Sequence, residues 1–327
     1  MYGLKWNLVP LRLSIIFVFL IGLVLARREM NVVIPLPEIG SINLENLNIF
    51  FIELLDLNKE YCINFLMHFG LIAKNVNCCG NFMTLTKKAS VTDGYIFYCN
   101  KCHKYASIRR GSFFERSHLS FGQVLKLIYF YSNNIYNQDL LIKEMKLSSK
   151  TIVDWKNFIR DVYCNHFIRN SSKIGAAGMI VQIDESLICK RKYGVGRILA
   201  NQEQWIVGGI DEIGEVFMEI TTVRNQSVLE EIISRNVESG SIIWSDCWGG
   251  YRNLDSIGYF HEVVNHKNEF VSSTGVHTNR IESTWGAVKR KLNPIRNKKP
   301  NLITGYLADY MFKKNSKDLF LVKPLTK

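Results

Sequence analysis

The chain has 327 residues, 47% of them hydrophobic and 12% aromatic. This excludes a largely disordered protein and leaves room for two or three domains, one with a proper core. Its 41 Lys and Arg outweigh 29 Asp and Glu, a formal charge of +12 that favours a polyanionic partner, nucleic acid being the commonest.

Residues 1–30 contain an apolar run, 13–26, preceded by Lys5 and Arg12 and followed by Arg27 and Arg28. The run is shorter than the ~20 residues that span a bilayer, and no A-x-A-like cleavage site follows it. A membrane anchor and a mis-called start therefore both stay open. Everything downstream looks intracellular, in nucleus or cytoplasm. Residues 31–74 hold two apolar stretches, 44–57 and 61–72, that fit short amphipathic helices. Residues 75–111 hold Cys78, Cys79, Cys99 and Cys102, half of the eight cysteines. Such clustering speaks against a secreted disulfide framework and for a metal knuckle in a reducing compartment. Gly80 and Gly94 mark turns there, and residues 95–98 read as a strand.

Residues 112–172 read as helix-turn-helix-like. One helix covers 119–131, a second 138–145, a turn with a Ser cap 147–149, and a third helix 150–167. Ile152, Trp155 and Ile159 form the core face of the third. Its Lys150, Trp155, Lys156 and Arg160 make it a candidate DNA reader. A small, polar linker, 170–178, then leads into strands alternating with helices over 176–315, with a tail at 316–327. The pattern predicts strands at 179–187, 204–210 and 215–223, with a hairpin turn at 211–214. A helix at 227–236, a strand at 241–245, a helix at 248–257, a strand at 261–264 and a long basic helix at 279–292 follow. Three antiparallel strands, a helix, a parallel strand and a closing helix are the order of an RNase H-like α/β fold with a mixed five-stranded sheet.

Asp184 and Asp246 each follow apolar, β-branched residues at a strand end, where an acid costs desolvation unless a cation or donor meets it. Glu282 lies on the basic helix. Two aspartates on neighbouring strands and a glutamate from a helix can hold two Mg²⁺ or Mn²⁺ ions for an in-line displacement at phosphorus. Glu185 and Asp211 are rivals for the first position. Seven Lys and Arg accompany the single acid between residues 276 and 300, and four basic residues with no acid lie between 190 and 197. Both runs flank the carboxylates, as expected if phosphates cross the site.

Six segments in order carry a family resemblance. They are Asp184-Glu185-Ser186, the basic turn from Lys190 to Arg197, Trp205 to Gly209, Ser245-Asp246-Cys247-Trp248-Gly249-Gly250-Tyr251, Val264-Asn265-His266, and His277 to Trp285. Together they resemble the DDE transposase domain of the Merlin superfamily and its bacterial insertion-sequence relatives, across about residues 75–315. The resemblance implies Asp184, Asp246 and Glu282 as the metal-binding triad, and cleavage and strand transfer at transposon ends as the activity. The implied partners are double-stranded DNA, in the form of terminal inverted repeats and target, and further copies of the chain assembled on it. Lys289, two helical turns beyond Glu282 on the same face, would contact the DNA end. Asn279, one turn before Glu282, either orients the glutamate or a water, or caps the helix with Thr278. Lys190, Arg191, Arg197, Arg290 and, in the helical region, Lys156 complete the candidate DNA contacts.

Cys99 and Cys102, with the pair at 78–79, resemble the zinc ribbon that precedes the helical domain in the same family. Val76 stands where the first cysteine of a full double knuckle belongs, so either Cys78 or His103 would supply the fourth Zn²⁺ ligand beside Cys79, Cys99 and Cys102, or the site has decayed to free thiols without metal. A relic that grips DNA without cutting, and a membrane-tethered derivative, are the alternatives.

Overall fold

The computed structural model describes residues 36–44, 47–170, 172–187, 204–246, 249–264, 275–295 and 300–316. The apolar segment 13–26, the basic turn holding Lys190, Arg191 and Arg197, and residues 317–327 lie outside the described residues. Among those described, no helix is long and apolar enough to cross a membrane. The chain divides into Met1–Ile42, whose described part holds a 3-10 turn at Ile39–Ser41, and Asn43–Lys327, which holds all the other described elements.

The second unit opens with helices α1 (Ile49–Leu57) and α2 (Lys59–His68), both shorter than the apolar stretches that predict them. Asn58 ends α1 and caps α2, its side chain accepting from the Tyr61 amide at 3.0 Å, so one residue makes the corner. Strands β1 (Asn77–Cys78) and β2 (Asn81–Phe82) form a minimal hairpin. Strands β3 (Thr84–Lys87), β4 (Tyr95–Tyr98) and β5 (Tyr105–Ser107) form an antiparallel sheet. Helix α3 (Phe121–Ser132) starts at a Ser120–Gln123 capping box, which satisfies two orphan donors reciprocally. Helices α4 (Gln138–Met145) and α5 (Ser149–Arg169) are joined by a tight turn in which Lys146 is left-handed and Ser148 caps α5.

The remaining strands are β6 (Ile180–Leu187), β7 (Trp205–Asp211), β8 (Val216–Thr221), β9 (Ile242–Asp246) and β10 (Phe260–Val264). They form one mixed sheet in the order β10-β9-β6-β7-β8, with β6, β9 and β10 parallel and β6, β7 and β8 antiparallel. Each strand end agrees with its sequence reading to within two residues. Strand periodicity sorts the side chains onto two faces. Val181, Ile183, Val207, Phe217 and Ile243 pack with helix α6 (Gln226–Asn236) and Tyr251 on one side. Ile206, Ile210 and Met218 pack with helices α7 (Asn279–Leu292) and α8 (Pro300–Asn315) on the other.

Two elements differ from expectation. Residues 248–257, read as one helix, supply the 3-10 turns Gly249–Tyr251 and Leu254–Ile257 instead; two adjacent glycines at the start make a continuous helix costly. Helix α8 was not foreseen as an element. It closes the free edge of β8: the Asn315 side chain bonds both the amide and the carbonyl of Val216 at 2.8 Å, and Met311 Sδ accepts from the Met218 amide at 3.0 Å. An open edge would otherwise invite another strand. On its other side α8 meets α5, where Tyr163 and Phe312 stack at 4.2 Å and the Arg160 guanidinium lies 4.1 Å over Tyr306.

Candidate active site and cysteine cluster

Asp184 is carried by the central strand β6, two residues beyond Gln182, which pairs with Trp244 of β9. Asp246 stands two residues beyond Trp244 and ends β9, while β6 runs three residues past Asp184, so the aspartates hold matching positions on adjacent parallel strands. Pairing between β6 and β9 stops at Gln182 and Trp244, leaving both carboxylates at the carboxyl mouth of the parallel pair. Side chains at 182, 184, 244 and 246 share the sheet face covered by α7.

Gln182 seats α7 on that face. Its Oε1 accepts from the amides of Arg280 at 2.9 Å and Ile281 at 3.3 Å, and its Nε2 lies 3.2 Å from His277 Nδ1. These bonds satisfy orphan donors at the start of the helix. His277 also meets Trp244 edge-on at 5.3 Å. Trp285, one turn past Glu282, donates its indole N–H to Asp184 Oδ2 at 2.9 Å, and the Thr278 hydroxyl donates to Glu282 Oε1 at 3.3 Å. Burial pushes Asp184 up to about 6; the Glu185 amide and Trp285 pull against this, while the charges of Asp246 and Glu282 add to it. The triad therefore shares one electrostatic site. Of the carboxylates chosen from the sequence, Asp246 and Glu282 are near enough to Asp184 for their charges to act on it.

The rivals separate cleanly. Glu185 points to the opposite face, against buried Tyr251, and burial lifts it to about 7. Asp211 is buried at the far end of β7, where its carboxylate accepts from the amides of Gly175, Gly214 and Glu215; it holds the hairpin turn and the linker. Lys289 and Arg290 are exposed on α7. Asn279 is the first, exposed residue of α7, and Thr278 is the N-cap, without a side-chain cap bond. Lys156 is half-buried, donating to the Tyr136 carbonyl at 3.1 Å and Gln138 Oε1 at 2.9 Å. Trp155 and Arg160 are buried, and of the basic residues named on α5 Lys150 is exposed. The sequence reading missed the positioning side chains Gln182, Thr278 and Trp285. Gln182 was findable: an amide set between apolar Val181 and Ile183, two before the aspartate, needs a partner when buried.

Gly208 pairs with Asp184 across the β6–β7 ladder. A Cβ there would lie 2.7 Å from the Trp285 ring and 3.0 Å from the Phe217 carbonyl. Gly208→Ala should cost about 1–3 kcal/mol and push the indole off Asp184. Denaturant unfolding checks the stability loss, and indole fluorescence checks the displacement.

The four cysteine sulfurs, Cys78, Cys79, Cys99 and Cys102, all lie within 4.8 Å of one another, and they form the one such group among the described residues. Neighbouring residues on a strand face opposite ways, but β1 and β2 are linked by Cys79 and Gly80 alone. Both have positive φ, 54° and 81°, the signature of a two-residue type I′ loop. That turn aims Cys78 and Cys79 at the same point. His103 sits elsewhere, its Nδ1 2.5 Å from the Tyr98 hydroxyl. Hydrogen bonds from the Lys104 backbone and from the other thiols hold Cys102 down to about 6, while the same sulfurs push Cys78 up to about 12. Four soft donors at this spacing suit a tetrahedral Zn²⁺. The triad is wider, its oxygens not all within that limit, and hard. Hard carboxylate oxygens of this kind would suit divalent Mg²⁺ or Mn²⁺ rather than a soft ion.

Residues 176–315 match the model of the ISXO2-like transposase domain. The Mos1 transposase paired-end complex with left transposon end is 11% identical, with 59% of this chain and 75% of that chain covered, at a TM-score of 0.23. The mariner Mos1 paired end complex with Mg is 9% identical, covering 64% and 77%, at 0.26. No curated protein matches the chain. The resemblance read in the sequence holds at the level of DDE transposases, and it is the segment 176–315 that matches the ISXO2-like transposase domain.

Proposed function

We propose that this protein cuts DNA at the ends of a Merlin-like transposon and joins the ends to target DNA. Asp184, Asp246 and Glu282 would hold two Mg²⁺ or Mn²⁺ ions on an RNase H-like domain. The observation that carries this reading is that Asp246 and Glu282 both raise the electrostatic cost of Asp184's charge at the carboxyl mouth of β6 and β9. When bound, the ions would activate the attacking oxygen and stabilise the leaving one. The chain's own residues do the positioning. Trp285 fixes one Asp184 oxygen and leaves the other to the site. Thr278 orients Glu282. Gln182 locks the start of α7 to the sheet, so the glutamate cannot drift from the aspartates. Lys289 and Arg290, on the same helix, meet the DNA phosphates.

In the same reading, Cys78, Cys79, Cys99 and Cys102 hold Zn²⁺ and order a ribbon that, with the helices over 112–172, grips the terminal inverted repeats. Copies of the chain assemble on DNA inside the cell. The test is incubation of the full chain with duplexes carrying the element's own ends, in Mg²⁺ and in Mn²⁺. Nicked ends and joined products are expected. Tight binding without product in either metal would instead favour a relic that grips DNA and no longer cuts it.

A further inference from the structure

A second basic feature lies away from the carboxylates. The connection between α3 and α4 and the outer sides of α7 and α8 enclose an open cleft of about 480 Å³. Tyr136, Ala287, Arg290, Lys291, Lys313 and Lys314 form its walls, and none of its described lining residues is acidic. Beneath it Asp309, fully buried, pairs with Lys291 and, at 3.1 Å, with Lys313. Four cations therefore face one carboxylate, which leaves a surplus of positive charge in a concave seat.

The seat is built rather than a chance gathering of surface lysines. Lys313 Nζ donates to the Tyr131 carbonyl at 2.7 Å and to Asn134 Oδ1 at 3.2 Å, and bonds the Tyr136 hydroxyl. The Tyr136 ring lies between Lys313, at 4.7 Å, and Lys291, at 5.9 Å. Burial presses Lys313 down to about 8; Asp309 opposes this and the Lys291 charge adds to it. An incoming anion would relieve that crowding. Arg290 follows Glu282 by eight residues, ~12 Å along the helix axis and about 80° round it, so the cleft opens on the flank of α7 next to the face that carries Glu282. The exposed side of α5, by contrast, mixes Lys150 with Asp161 and with Val153 and Phe158, a poor match to a phosphate backbone.

We propose that this cleft between the α3–α4 connection and the α7–α8 pair binds the sugar–phosphate backbone of duplex DNA as it leaves the carboxylate site. The proposal rests on the DNA-cutting reading, and it makes the helical region and the catalytic domain share one phosphate seat. Contacts to phosphates carry no sequence information, so the seat would serve transposon-end and target DNA alike.

The test is equilibrium binding of the full chain to a labelled duplex of arbitrary sequence across a salt series, with Ca²⁺ in place of a cutting metal. Lys314→Gln should flatten the slope of log K against log salt by about 0.9, and Arg290→Gln with Lys314→Gln by about 2. Ala287→Glu, which sets a carboxylate in the wall, should weaken binding at least as much as Lys314→Gln. Lys173→Gln, on the exposed linker, should change neither slope nor affinity. Melting curves must match wild type for a variant to count, and Lys314→Gln and Ala287→Glu test the cleft independently of each other. Unchanged slopes in the cleft variants, or an equal loss in Lys173→Gln, would overturn the proposal. A chain that binds with the expected slope changes but cuts nothing keeps the cleft and removes the nuclease reading, so the two failures are distinguishable.

Discussion

Asp184→Asn should lower metal-dependent cleavage of transposon-end DNA by at least about 10³-fold, since even partners behind a metal ligand commonly contribute 10–100-fold. The change is nearly isosteric. The Asn oxygen can still accept the Trp285 indole bond that Asp184 Oδ2 accepts at 2.9 Å; what is lost is the charge and the second oxygen. DNA binding in Ca²⁺ should persist, because the basic residues of α7 are untouched. Stability supplies a second readout with a definite sign. Burial holds folded Asp184 at about 6, above the ordinary 3.8, so the folded state binds the proton more tightly than the unfolded chain does. Stability is then lost as pH rises from about 4 to about 6, and the full penalty remains at pH 7. Discounted for the partial exposure of the side chain, that penalty is about 2 kcal/mol. Without metal, the Asn variant should therefore melt at or above wild type at pH 7 and match it below pH 4. Added Mg²⁺ or Mn²⁺ should raise the melting temperature of wild type by mass action and leave the variant unchanged. Retained cleavage in Asp184→Asn would remove the triad from the mechanism.

Cys102→Ser should abolish zinc binding and unfold the segment around residues 77–107. Elemental analysis of the purified full chain is expected to find one zinc per protein, released by a chelator and missing from the variant. Structural thiolate sites contribute on the order of 10 kcal/mol to folding of their small domains. The local scaffold has little else: β1 and β2 are two residues each, and Ile96, Phe97 and Met83 supply most of the apolar burial beside Cys99. The buried Arg109–Asp93 ion pair, with its N–O contact of 2.5 Å, cannot hold the hairpin by itself, because it ties only the loop after β3 to the far end of the ribbon. Protease cleavage within 77–107 should accelerate on chelation while α3–α8 stay protected. Cys164→Ser, half-buried on α5 and outside the cluster, is the matched control. A wild-type chain free of zinc, or one whose zinc survives Cys102→Ser, would leave the cysteines as plain thiols.

Several features were legible in the residues themselves because they depend on local periodicity and capping. Helix α7 runs over the range its apolar spacing predicts, and β4 coincides with the aromatic run at 95–98. Helix α8 escaped because its apolar residues ring it on two sides, one for β8 and one for α5. A helix buried between two layers loses the one-sided pattern by which a surface helix is recognised. The basic residues of α5 misled for a related reason. Charge and amphipathic stem look alike in a sequence whether the head reaches solvent or folds back, and Lys156 and Arg160 fold back.

By itself the sequence determined the order of the five sheet strands and of α6 and α7, the placing of Asp184 and Asp246 on strands and the resemblance to DDE transposases. Those features follow from short-range alternation and from motifs read residue by residue. Only the tertiary structure decided that Asp184 rather than Glu185 faces Glu282, that Cys78 rather than His103 completes the sulfur cluster, and that α3–α4 and α7–α8 wall a common basic cleft. Each of those outcomes depends on which side of a strand meets which helix, or on a single left-handed turn. They are set by packing between segments far apart in the chain, and no local pattern encodes that.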